Sequence, residues 1–222
     1  RRPGYETVGR RLEARAIAAG GDTLGARLAI ERAVAAGHAD AATFALCGEL
    51  SLQLADPAGA VRCLETALER EPGNASARAL LGEAFVRLGA IDKGIAELDA
   101  ATAARPADAE IWRRSGRVLL GLGRHRDALA RYAHVLAIAP RDADALIASA
   151  NAYLLLAEFD KARTIALSLV GSPAQESMSQ YILGRIAMAQ RQYENAVVSF
   201  SRATRLDARH GAAWMGLADA HL

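Results

Sequence analysis

The sequence predicts an all-α chain built as a solenoid of 34-residue helix-turn-helix units, and three observations carry that expectation. Glycines sit inside runs that otherwise read as helix, at Gly48, Gly82 and Gly116. Each is followed 24 residues later by a proline, at Pro72, Pro106 and Pro140. When the chain is compared with itself at a shift of 34, these residues and the other small ones fall into columns without insertion or deletion. Composition agrees, since the 222 residues are 52% apolar but only 5% aromatic, so the core must be made mainly of alanine and leucine.

Numbering 34 places within each unit, the elements can be justified in order. The first unit, 7–40, has small residues at places 8 and 20, Ala14 and Ala26, with Ile30 at 24 and Ala33 at 27. It departs most from the pattern, with Arg10 at place 4, where Phe44, Trp112, Leu146 and Trp214 stand in other units, and Glu13 at place 7, where Leu81, Leu183 and Leu217 stand, so its first helix is expected to be shifted or to act as a cap. The second unit, 41–74, opens on Phe44, carries Gly48, Ala60, Leu64 and Ala67, and closes at Pro72. The third, 75–108, has Leu81, Gly82, Phe85, Gly94, Leu98 and Ala101 before Pro106; the fourth, 109–142, has Trp112, Gly116, Leu119, Ala128, Tyr132 and Val135 before Pro140. In the fifth, 143–176, Ala150 and Ala162 hold the small places, and Pro173 falls one place early. The sixth, 177–210, has Gly184, Ala196, Phe200 and Ala203, and a partial seventh, 211–222, has Trp214, Leu217 and Ala218.

A small residue at place 8 facing a small one at place 20 lets the two helices of a unit approach closely. That explains Gly82, which costs its helix about 1 kcal/mol relative to alanine and is offset by packing. The prolines end the second helix, and Gly21, Gly89 and Gly123 at place 15 supply the turn, with Ala55, Ala157 and Arg191 as departures. No unit can bury its apolar face alone, so neighbours must stack.

These columns resemble the tetratricopeptide repeat, whose pattern is a large residue at place 4, Leu at 7, Gly or Ala at 8, a large residue at 11, Ala at 20, an aromatic at 24, Ala at 27 and Pro at 32. The resemblance covers residues 7 to 222. It implies one domain over residues 1–222 wound as a right-handed superhelical solenoid, with the first helices lining a concave face that binds a peptide or helix of a partner protein. Places 2, 5, 6, 9, 12 and 13 then point toward the partner, as helical spacing requires once place 8 faces inward.

Those places are small and mildly acidic in the second and third units, with Glu49 and Glu83. The fourth unit sets Arg113 and Arg117 one turn apart, a fork for a carboxylate or phosphate, although a solvated face paired with Glu110 and Asp144 accounts for them equally. The last units present Asn151, Met178, Tyr181, Arg185, Met188, Met215 and Asp219. Every methionine of the chain lies here, and this stripe reads as an apolar groove for a helix or extended peptide, with part of it alternatively plain core. The expected partner contacts are Arg113, Arg117, Asn151, Met178, Tyr181, Arg185 and Met188.

Other functions find less support. Lysine plus arginine total 27 against 25 acidic residues, a net charge of +2, which argues against a phosphate backbone as the main partner. No run of 18 apolar residues marks a membrane span, and the compartment stays open. The segment GLGRHRDA at 121–128 lacks a third glycine and follows a helix, so it is no dinucleotide fingerprint; there is no P-loop lysine, GxSxG or HExxH. His38, His125, His134, His210 and His221 are scattered and read as structural or exposed. Cys47 and Cys63 are too few and too poorly spaced for a disulfide framework or zinc site, and Cys47 reads as a small core residue. The carboxylate clamp of chaperone-binding relatives is missing, because Ile147 precedes Asn151 by one turn and Arg117 stands where the clamp needs asparagine. The asparagine ladder of glycosyltransferase relatives is missing too, with Leu46, Leu80, Arg114, Ala148 and Ile182 at its place.

The expectation is therefore a non-catalytic scaffold without cofactor or metal, in a setting such as bacterial pilus, secretion or polysaccharide-export assembly. The alternative is the repeat segment of a longer enzyme, for instance a sulfotransferase or glycosyltransferase. Since the sequence stops inside a unit, self-association through that end is also expected.

Overall fold

The computed structural model describes residues 3–222, which form thirteen α-helices and no strand. Contacts divide the chain into two compact units that meet in sequence between Ser115 and Gly116.

The first unit contains α1 (Pro3–Ala19), α2 (Thr23–Ala35), α3 (Ala41–Gln53), α4 (Pro57–Arg70), α5 (Ala75–Arg87), α6 (Ile91–Ala104) and the start of α7 (Ala109–Gly121). Four of these helices start where a short polar side chain accepts a hydrogen bond from the backbone N–H three residues on. Asp22 accepts from Gly25, Asp40 from Thr43, Asp56 from Gly59 and Asn74 from Ala77, at 2.7–2.9 Å. Turns between paired helices pass through left-handed backbone at Gly21 and Gly89, with φ of 91° and 84°, and Ala55 adopts the same region at 57°. The prolines stand just past the helices: Pro72 follows the C-cap residue Glu71, and Pro106 follows Arg105.

Close approach of paired helices is most literal at Gly82. A Cβ added there would lie 2.7 Å from the carbonyl oxygen of Gly94, and one added at Gly94 would lie 2.6 Å from that of Gly82, so two backbones touch. At Gly48 the space is filled by the Leu64 side chain instead. Two apolar clusters result. One joins Ala14, Ala26, Ile30, Leu46 and Leu50, and the other Leu52, Leu64, Leu80, Leu81 and Phe85. Helix α1 contributes Ala14, with Ile17 and Ala18 partly buried against the same cluster, and leaves Tyr5, Val8 and Leu12 exposed.

One expectation requires correction here. The structure joins Cys47 on α3 to Cys63 on α4 in a disulfide across the second repeat, with the Cα atoms 5.9 Å apart. A separation of 16 in sequence looked unsuited to pairing, but places 7 and 23 of a repeat sit opposite one another on facing helices.

The second unit continues from Gly116 with the end of α7, then α8 (His125–Ile138), α9 (Ala143–Leu155), α10 (Phe159–Leu167), α11 (Pro173–Ala189), α12 (Tyr193–Leu206) and α13 (Gly211–Ala220). Gly123, Ala157 and Arg191 make the left-handed turns. Aromatic rings fill the glycine notches: Tyr132 packs on Gly116, and Phe200 lies against both Gly184 and Gly216. The early proline of the fifth repeat has a structural consequence. Helix α10 is only 9 residues long, and Pro173 forms the first turn of α11 behind the N-cap Ser172 rather than following a helix end.

A candidate binding groove on the second unit

Helices α9, α11 and α13 together shape an open groove of about 580 Å³, lined by Leu154, Leu155, Tyr181, Arg185, Met188 and Met215, with Phe200 at its base and Asp219 at its margin. The small residues of the lining helices are spent on packing, with Ala150, Gly184 and Ala213 buried, and the larger side chains line the open side.

Tyr181 is held by its neighbours. Its ring lies 5.9 Å from that of Phe200 and 4.9 Å from that of His210, both tilted by about half a right angle. The imidazole is itself anchored, with Nδ1 2.8 Å from Ser177 Oγ, and the same hydroxyl lies 2.9 Å from the carbonyl of Ala203. A hydroxyl has one proton; given to Ala203, it leaves Nδ1–H of His210 to donate to Ser177. Ser177 is also fully buried, so this serine and histidine form a bracket under Tyr181 and not a nucleophile with its base.

Arg185 is positioned with equal economy. Its Nη1 donates to Asn151 Oδ1 at 2.5 Å, and its guanidinium lies 5.7 Å from the Tyr181 ring centre. Neither partner is anionic, so its charge is not neutralised by this pairing. Met188 is half-buried, whereas Met215 and Leu155 are 65% and 60% exposed, leaving apolar surface between Arg185 and Asp219.

The structure thus gathers Asn151, Tyr181, Arg185 and Met188 in one place and separates the other expected contacts. Met178 is half-buried in the cluster between α9, α10 and α11 and does not line the groove. Arg113 belongs to the first unit, where it donates to Glu110 Oε2, and Arg117 is an exposed residue of the second unit. Around Arg113 the charges are compensated: Arg114 reaches Glu83 at 2.5 Å, Glu83 also pairs with Arg87, and Arg87 donates to the carbonyl of Leu52. Phe200, Ala212 and Gly216 were not among the expected contacts. Ala212 and Gly216 do fall at places 2 and 6, while Phe200 at place 24 reaches the groove only because glycine at 216 leaves it uncovered. Among the described residues no three His, Cys, Asp or Glu side chains cluster to hold a metal, and no helix is long and apolar enough to cross a membrane.

Comparison with known proteins places these features in a family. No curated protein matches the chain. Among solved structures, pilF of Pseudomonas aeruginosa aligns with 15% identity and a TM-score of 0.72, covering 99% of this chain and 100% of its own. YrrB, a TPR protein with an unusual peptide-binding site, aligns with 17% identity and a TM-score of 0.60 over 84% of this chain and 96% of its own. PilW, a widely conserved type IV pilus biogenesis factor, gives 21% identity and 0.62 over 81% and 91%. At such identities the likeness speaks for the fold alone. Sequence profiles of the family match directly, one over residues 51–114 and 119–186 and another over 181–222. The chain belongs to the tetratricopeptide repeat family.

Proposed function

We propose that the protein is a non-catalytic interaction scaffold that binds a peptide or helix of a partner protein in the groove of α9, α11 and α13. The observation that carries this reading is the pairing of an apolar, partly methionine floor with a fixed cation. Tyr181 and Arg185 are held by Phe200, His210 and Asn151, so little ordering cost remains to be met on binding, while Met188 and Met215 can adapt to the guest. A setting in bacterial envelope assembly is proposed with it, supported by the likeness to PilW, described as a pilus biogenesis factor. The test is selection from a displayed random-peptide library on the full chain, followed by affinities of the selected peptides. The double substitution Tyr181→Ala, Met188→Ala is expected to weaken them by about tenfold or more, as loss of a buried aromatic anchor does, with Arg113→Glu near wild type. Peptides that bind the double variant unchanged would place their site elsewhere.

The end of the second unit favours an additional contact, between copies of this chain. Trp214 is 51% exposed although its indole N–H is satisfied by the carbonyl of Ala208, and Ala218 is exposed where Ala150 and Gly184 are buried at the same repeat place. Sedimentation should show concentration-dependent mass that Trp214→Ser, Met215→Ser removes; a monomer at high concentration would refute self-association.

A further inference from the structure

The Cys47–Cys63 bridge lies where a small molecule can reach it. Both cysteines line a cleft of about 280 Å³ on the first unit, walled by Val34, Ala35 and Phe44, with Arg27, Glu31 and Arg62 as its charged lining. The two sulfurs differ in access. Cys47 is 5% exposed, whereas Cys63 is only half-buried. The two arginines differ as well. Arg27 is committed to Glu31 at 3.0 Å and Asp56 at 3.3 Å. Arg62, next to Cys63 in the chain, is exposed and makes no close ion pair among the described residues, its charge acting on Asp56 only from a distance. A cation without a close ion pair therefore stands beside the more accessible sulfur of the cleft, an arrangement that attracts an anionic reagent.

We propose that Cys63 is a site of thiol–disulfide exchange with small thiols that carry carboxylates. The thiolate of the incoming molecule attacks Cys63 Sγ, its electron pair forms the new S–S bond, and the pair of the old bond leaves on Cys47 Sγ, which takes a proton from water. A second small thiolate then attacks the sulfur of the first, freeing Cys63 as a thiolate that is protonated in turn, and two small thiols leave joined as a disulfide. The bridge has gained two electrons and two protons, and the reverse sequence restores it. Attack is directed to Cys63 because Cys47 is shielded, and Arg62 selects the charge of the reagent. Reduction removes the covalent tie between α3 and α4 and leaves their packing through Gly48 and Leu64, so the second repeat is the element that loosens.

The probe is glutathione acting on the full chain. Non-reducing peptide mapping of the untreated protein should find the Cys47 and Cys63 peptides linked. After an acid-quenched exposure to reduced glutathione, the mixed disulfide should map to Cys63. In Cys47→Ala, oxidised glutathione should label Cys63, and in Cys63→Ala it should label Cys47 at least tenfold more slowly, the burial of the thiol setting the difference. Arg62→Glu should slow glutathione severalfold while leaving the rate with uncharged 2-hydroxyethyl disulfide unchanged. Two free thiols in the untreated protein, equal labelling of both cysteines, or identical effects of Arg62→Glu on charged and uncharged reagents would each overturn the proposal. The wild-type mapping supplies the answer even if a cysteine variant folds poorly.

Discussion

At Gly82 the chain accepts the least helix-favouring residue short of proline because nothing larger fits. A methyl group there would meet a carbonyl oxygen at 2.7 Å and Leu98 Cγ at 2.8 Å, and the carbonyl belongs to a helix that cannot turn it aside. Gly82→Ala is therefore expected to destabilise by about 2 kcal/mol, overpacking outweighing the gain in helix propensity. Gly9 in α1 is the control, since a Cβ there meets nothing within 4 Å; Gly9→Ala should stabilise by somewhat under about 1 kcal/mol. Urea denaturation of the two variants should move the midpoint in opposite directions, and a shared direction would mean that the notch at Gly82 is not under steric pressure. The same logic runs in reverse at Ala157, whose φ of 57° is left-handed backbone without glycine. Ala157→Gly relieves a strain of about 1 kcal/mol, partly offset by a freer unfolded chain, so a small rise in midpoint is expected.

Several helices begin where a carboxylate or amide meets the free N–H groups of the first turn, and Asp40 shows what that contributes. Burial pushes its carboxyl upward, but hydrogen bonds from Arg11 and Thr43 win and hold it at about 2, below its ordinary 3.8. Arg11 reaches it from α1 at 2.6–2.7 Å, so one side chain both starts α3 and fastens the first helix to it. A depressed carboxylate stabilises the fold fully above its unfolded value, and that contribution is lost as pH falls from about 4 toward 2. Asp40→Asn keeps a cap but lacks the charge. Its midpoint in urea should lie below wild type at pH 6, and the gap should close across that acidic window. A gap that stays constant with pH would detach Asp40 from the acid response.

In the molecule as a whole, what was legible in the sequence was whatever backbone contact dictates by itself. Small residues at place 8 and left-handed turns at place 15 recur because two helices of fixed geometry must touch and reverse, and neither demand depends on the neighbours. Contacts that arise only between elements were hidden. The Asn151–Arg185 bond spans 34 residues, and Met178 and Met188 share an expected face yet differ in how far the surrounding helices cover them. The shortened α10 was hidden too, since a proline displaced by one place reads equally as a helix end and a helix start. The same division between local and neighbouring terms governs stability. Where each repeat packs mainly on the next, a defect should weaken its own repeat most, its immediate neighbours less and distant ones least. Hydrogen exchange of Gly82→Ala tests this along the chain: amides of α5 and α6 should exchange much faster than in wild type, those of α3 and α4 moderately faster, and those of α12 and α13 at nearly the wild-type rate. Uniform acceleration from α2 to α13 would instead mark a single cooperative body, in which the notch at Gly82 supports every helix alike.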